Sequence, residues 1–170
     1  MGVKIQTTRV AASTGAGTQD ITISGFGTPK AALFMTNLGL TDDTAANTAA
    51  IGIGATDGTN EWACSVNSWN GQGTTSTYSR GMTDKCIALL SSGSGAIFGE
   101  AAFDSWITDG VRIDASSAAA TLLTVVLFGG NDLTAKVGNT QDMGASTDTQ
   151  FSVTGVGFEP DALIMASHGQ

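Results

Sequence analysis

Charge is what this chain has least of. Asp, Glu, Lys and Arg make up 13% of its 170 residues, about half the usual share of roughly 25%. Seven are Lys or Arg against fifteen Asp or Glu, so the formal charge is −8 and the sequence pI is near 4.2. Phosphate backbones are repelled by that sum, and Lys4 with Arg9 is the nearest approach to a basic cluster, so no nucleic-acid partner is expected. Long apolar runs are also missing. Leu122 to Phe128, the longest candidate, is interrupted by Thr124 and has strand length, far from the roughly 18 residues of a membrane span. The opening MGVKIQTTRV has no apolar core of a secretory signal, and Gln6 stands where a myristoylation signal has Ser or Thr.

Histidine is reduced to His168 and cysteine to Cys64 and Cys86. A Ser-His-Asp arrangement needs an oriented base, and one His near the end of the chain is poor material for it. The two Cys have no metal-ligand spacing; they read either as small buried hydrophobes in strands or as a disulfide between neighbouring strands. The acids Asp57, Glu61, Glu100, Asp104 and Asp109 fall mostly at turns or strand ends, where Asp serves local hydrogen bonding, rather than as a facing pair for glycoside cleavage. Asp42 and Asp43 with Asn47, or Asp57 with Asn60 and Glu61, gather oxygen atoms without the spacing of a calcium loop. Gly25-Phe26-Gly27 lacks the Lys-Ser/Thr and helix of a phosphate cradle. No catalytic residue, metal or cofactor is expected, and the chain is read as not an enzyme.

What is present is Gly, 23 residues of it, with abundant Ala, Ser and Thr and 41% apolar residues. The apolar share suffices for a core in one domain of this length, and so uncharged a surface hints at coverage by other subunits. One stretch is written twice: GFGTPKAALFMTN at Gly25 to Asn37 and GVGFEPDALIMASH at Gly155 to His168. Each follows an alternating segment, Gln19–Ser24 and Thr149–Thr154. A separation of about 130 residues is a domain-scale repeat, since solenoid units run roughly 20–50 residues. His168 falls against Asn37, so the repeated unit does not call for imidazole there. The expected organisation is a β-sandwich unit over 1–140 and the incomplete start of a second copy over 141–170.

Read in order, the chain is strand after strand. Lys4 to Val10 alternates as an edge strand, and Gln19 to Ser24 turns Ile21 and Ile23 inward. Lys30 to Thr36 is nearly all apolar and suits a sheet covered on both faces. In Thr48 to Ala55, Gly52 and Gly54 alternate with Ile51 and Ile53, leaving one face nearly bare for close approach by another segment or subunit. Asp57-Gly58 is a hairpin turn into Glu61–Asn67, where Trp62, Cys64 and Val66 share a face and Trp62, like Trp106, is expected in the core. Thr74 to Arg80 reads as an outer strand, Cys86 to Leu90 and Ala96 to Phe103 as further strands. Asp109-Gly110 turns into Val111–Asp114, and Thr121 to Phe128 is the strongest strand. Short strands at roughly 8–12-residue spacing without an amphipathic helix predict an all-β fold, an antiparallel β-sandwich or jelly roll, with the first strands of a second unit at the C-terminus.

Those last strands pose a physical question, because about 30 residues cannot close a sandwich alone and unpaired apolar strands are adhesive. They pair back onto the first unit, complete a neighbour by strand addition, or belong to a molecule continuing past Gln170, which is the expectation here. Trp69 in SWNGQG is the candidate contact residue, at a loop tip with Asn67, Asn70 and Gln72 nearby. An indole there fits a subunit contact, a sugar platform or plain packing.

The segments Gly25–Phe34, Ile51–Ala63, Gly99–Ile113, Val125–Gly138 and the renewed Gly155–Met165 together resemble a family of tandem-repeat proteins of tailed bacteriophages. That resemblance spans nearly the whole chain and implies a β-rich virion structural protein assembled in the host cytoplasm, a capsid decoration or a tail or neck fibre component. Its partners would be copies of itself and other virion proteins, with a host-surface glycan as a further one. The residues leave two alternatives: a carbohydrate-binding sandwich using Trp69 and its amides, and a subunit of an extracellular filament.

Overall fold

The computed structural model describes residues 2–39, 43, 48–71, 74, 76–91, 95–117, 121–139 and 153–168. Among them are ten strands and no helix: β1 (Lys4–Ala11), β2 (Gly17–Thr22), β3 (Pro29–Asn37), β4 (Thr48–Thr56), β5 (Glu61–Trp69), β6 (Ser76–Met82), β7 (Ile87–Leu90), β8 (Ile97–Ile107), β9 (Gly110–Ser117) and β10 (Leu122–Gly129). They form two antiparallel sheets of a β-sandwich, a large one in the order β1-β10-β3-β4-β5-β6 and a small one in the order β2-β9-β8-β7. β3 to β6 and β7 to β9 are meanders, while β1 returns to pair with β10 and β2 with β9.

Period-two alternation sorts each strand into an inner and an outer row. Phe34, Leu123, Val125 and Leu127 of the large sheet and Ile21, Val111 and Ile113 of the small one are all but sealed from solvent and form the core with Phe26, Ala32 and Ile87. Burying side chains of this size contributes roughly 1.5–3 kcal/mol each. β10 lies inside the large sheet with a ladder on either side, as its β-branched run suggests, and β1 lies at the edge.

The Gly alternation in β4 has a resolved cause. A Cβ on Gly52 or Gly54 would run into the carbonyl oxygens of Ala88 and Cys86, so the bare row admits β7 of the same chain rather than a second subunit. β7 is the edge of the small sheet, and a buried edge must find partners for its backbone. Ser65 Oγ accepts from Leu90 N–H at 3.1 Å and donates to the Ile51 carbonyl at 3.1 Å. One position along the same row, Asn67 Nδ2 donates to the Ser91 carbonyl.

The turn after β2 is fixed from the far end of the fold. Gly25 and Gly27 take φ of 74° and 87°, which Gly adopts without strain. Their N–H groups donate to the two carboxylate oxygens of Asp109, at 3.0 and 2.7 Å. Asp109, at φ 64° in the β8–β9 turn, returns its own N–H to the Gly27 carbonyl at 3.0 Å.

Residues 130–139 and 153–168 carry no strand. Within the second stretch Gly155 and Gly157 take φ of 77° and 84°, and Leu163, Ile164 and Met165 are exposed. These described residues form no ladder with the first ten strands. The preceding alternating segment is only partly described, Thr149–Ser152 lying outside the described residues.

Candidate interaction surface

The expected contact cluster does not hold together. Asn67 is 1% exposed; its Nδ2 holds the Ser91 carbonyl and its Oδ1 accepts from Tyr78 N–H at 3.2 Å. It closes the free edge of β7 and faces the interior, so it is not a sugar or subunit contact. Trp69 is the last residue of β5, opposite Ser76 and Thr48, rather than a loop tip, and is 39% exposed. Asn70 follows it on the surface, and Gln72 lies outside the described residues. Of the three described members, an indole and one amide remain on the surface.

The other polar groups are engaged structurally. Asp57 accepts from the N–H groups of Thr59 and Asn60 at 2.9 and 2.7 Å, from the Asn60 amide, and from Val137 N–H at 2.8 Å. Burial raises its pKa, but the donors of Asn60, Val137 and Thr59 outweigh that and leave it below the ordinary carboxylate value. A carboxylate so surrounded by donors is a turn anchor, not a calcium ligand. Glu61 turns inward and accepts Phe103 N–H at 2.7 Å. Asp42 and Asn47 lie outside the described residues. Among the described residues no three of His, Cys, Asp and Glu gather.

Both cysteines are free and buried, in line with the small-hydrophobe reading rather than a disulfide. Burial pushes both thiols up, which keeps them protonated and unreactive. Trp106 is half-buried with its ring 4.7 Å from that of Phe103, and its indole covers Gly58.

The informative feature is a face. Residues opposite one another across a ladder share a face, so the outer side of the large sheet can be read from the registers. Its rows are Ala11, Leu122, Asn37, Ile51 and Val66; Arg9, Thr124, Met35, Ile53 and Cys64; Thr7, Val126, Leu33, Ala55 and Trp62; and Ile5, Phe128 and Ala31. β6 adds Thr77, Ser79 and Gly81. Arg9 is the only charged side chain among them. Ile51 is 62% exposed, Ile5 56%, Val66 44% and Met35 38%. This face corrects one expectation, since Trp62 sits with Cys64 and Val66 on the outside, not in the core. Along β3 the inward Ala32 and Phe34 are sealed, while on the outer side Ala31 is buried, Leu33 half-buried and Met35 exposed. A hollow of about 250 Å³ interrupts the face on one flank, lined by Arg9, Met35, Thr36, Asn37, Leu122 and Thr124. His168 lies at the opposite margin, its ring against Gly81.

Sequence pattern exposed this surface without orienting it. Two apolar rows per strand say that both sides avoid water, and only the register tells which side meets β7 to β9. Compared with known proteins, the chain matches no family model, no curated protein and no solved structure, so its functional reading is carried by its own residues.

Proposed function

We propose that this chain is a non-enzymatic structural subunit of a bacteriophage virion, a capsid decoration or a tail or neck fibre component, that works by packing against copies of itself and other virion proteins. The observation that carries the packing half is the outer face of the large sheet, where apolar side chains run across five strands beside a single cation. A contiguous apolar surface of that kind marks an interaction site. The virion half is supported by the five segments that resemble tailed-phage repeat proteins. The decisive experiment is mass spectrometry of gradient-purified particles from the source: peptides of this chain at fixed stoichiometry to the major virion proteins are expected, and their absence from every particle fraction overturns the reading. A glycan array run with the native chain and Trp69→Ala separates the carbohydrate-binding alternative, which requires binding that the substitution abolishes.

A further inference from the structure

We infer that the outer face of the large sheet is closed by the same face of a second copy of this chain, the two meeting about a two-fold axis that runs along β3. This deepens the structural-subunit reading and rests on it. Two observations select a copy of the chain as the occupant.

The first is charge. The chain carries −8, and the outer side of the small sheet holds Asp114 and Glu100, Asp104 at the β8 irregularity, and Asp20 already paired with Arg112. Two such chains repel each other through that side. Among the described residues the outer side of the large sheet bears Arg9 as its one charge, so it is the broad surface through which two copies can approach with few opposed carboxylates, and desolvating it strands few charges.

The second is shape. An isologous pair needs a self-complementary patch, with each bump answered by its own hollow across the axis. Ile51 on β4 is the most exposed large side chain of the face, and the hollow lies over β1, β10 and β3. The two occupy the same row, since Leu122, Asn37 and Ile51 are consecutive ladder partners. A two-fold axis along β3 exchanges β10 with β4 and β1 with β5. It therefore sets Ile51 of each copy over Leu122 and the hollow of the other, and brings Met35 against Met35. Five strands about 4.8 Å apart, read over some six residues of about 3.4 Å, span roughly 24 by 20 Å. That footprint is of the order used by stable subunit pairs, about 800 Å² of accessible surface per partner.

The test uses the full chain. Wild-type protein is expected to sediment as a dimer or larger even-numbered species, and Ile51→Asp to weaken association by at least about 30-fold, as loss of an interface anchor does, with near-UV spectra confirming the fold. Independently, Met35→Cys is expected to oxidise to a dimer linked Cys to Cys at position 35, verified by peptide mapping, while Thr18→Cys on the small sheet gives none. A monomer at every concentration overturns the inference, as does an oligomer that ignores Ile51→Asp and forms no position-35 link. A position-35 cysteine that instead pairs within one chain with Met165→Cys shows the chain's own 153–168 segment as occupant and also overturns it. In each of these cases the chain's presence in or absence from particles still decides the subunit reading separately.

Discussion

The two outer faces of this sandwich share a core and share almost nothing else. On the small sheet, Arg112 reaches across to Asp20 with two hydrogen bonds of 2.6 and 2.8 Å, Ser116 donates to Glu100 at 2.7 Å, and Asp114 and Thr18 point to water. On the large sheet, the outward Ile51, Val66 and Met35 are exposed to the same solvent. A sheet with one buried face ordinarily alternates apolar-in with polar-out, and β2 and β9 of the small sheet do. The large sheet carries an apolar residue in both phases of the alternation. The difference teaches that the large sheet carries two apolar faces, the inner one sealed against the small sheet and the outer one with Ile51, Ile5 and Val66 exposed.

The sharpest way to break that comparison is along β3, where Phe34 faces in and Met35 faces out. Phe34→Ala opens a cavity in the sealed core and is expected to lower the unfolding free energy by about 3–5 kcal/mol. Met35→Ala, measured by the same denaturant titration at a concentration where the chain is monomeric, is expected to cost about 0.5 kcal/mol. Equal losses at the two positions would mean that the outer face is already covered within one chain.

Next in size is the channel that joins the sheets. Gly54→Ala places a methyl group against the Cys86 carbonyl, and a backbone oxygen cannot swing aside as a side chain would. Overpacking of this kind costs about 1–3 kcal/mol, or roughly 2–12 °C in melting temperature at 2–4 °C per kcal/mol. A fully tolerated alanine would contradict the close approach of β7 to β4.

Asn67 and Asn70 sharpen the comparison between inside and outside within one short segment. Asn67→Ala removes the side chain that bonds the Ser91 carbonyl and Tyr78 N–H and is expected to cost about 1–3 kcal/mol. Asn70→Ala, on the surface, is expected to change stability by no more than about 0.5 kcal/mol. Thermal melts of the pair check this, and a reversed order would restore Asn67 to the surface cluster.

Those same residues mark where the sequence could be read and where it could not. The alternation of Thr121 to Phe128, the bare row of Gly52 and Gly54, and the turn at Asp109-Gly110 were legible because each is a local property: side-chain period, missing Cβ, a backbone bend. That Trp62, Cys64 and Val66 share a face was legible for the same reason. Which face they share was not, because orientation is set by where β7 docks, and β7 begins about 20 residues later. Asn67 misled because its neighbour Trp69 suggested a sugar platform; the carbonyl that claims its amide belongs to Ser91, and nothing local announces it. The GFG turn was legible as a turn, but the carboxylate that holds it sits 84 positions along the chain from Gly25.

The smallest expected effect concerns the charged side and the turn beside it. Asp109 is held below its ordinary value of 3.8 by the N–H groups of Gly27 and then Gly25, and Asp20 by its hydrogen bonds from Arg112. For a carboxyl whose folded pKa is depressed, the native state binds the proton less readily than the unfolded chain does. The stabilisation is therefore complete above the unfolded value near 3.8 and disappears as pH falls through the lower folded value. Stability should be flat from pH 7 to about 5 in these contributions and fall below about 4. Asp109→Asn is the discriminating variant, because Asn tolerates the positive φ yet brings one acceptor oxygen and no charge to two N–H donors. It should be less stable than wild type at pH 7, and the gap should close as pH falls below about 4 and the wild-type carboxyl itself becomes neutral. Urea titrations across that range read the gap directly. A gap that persists undiminished to pH 2 would mean that the turn is held by shape alone, and that the ionised carboxylate contributes nothing to it.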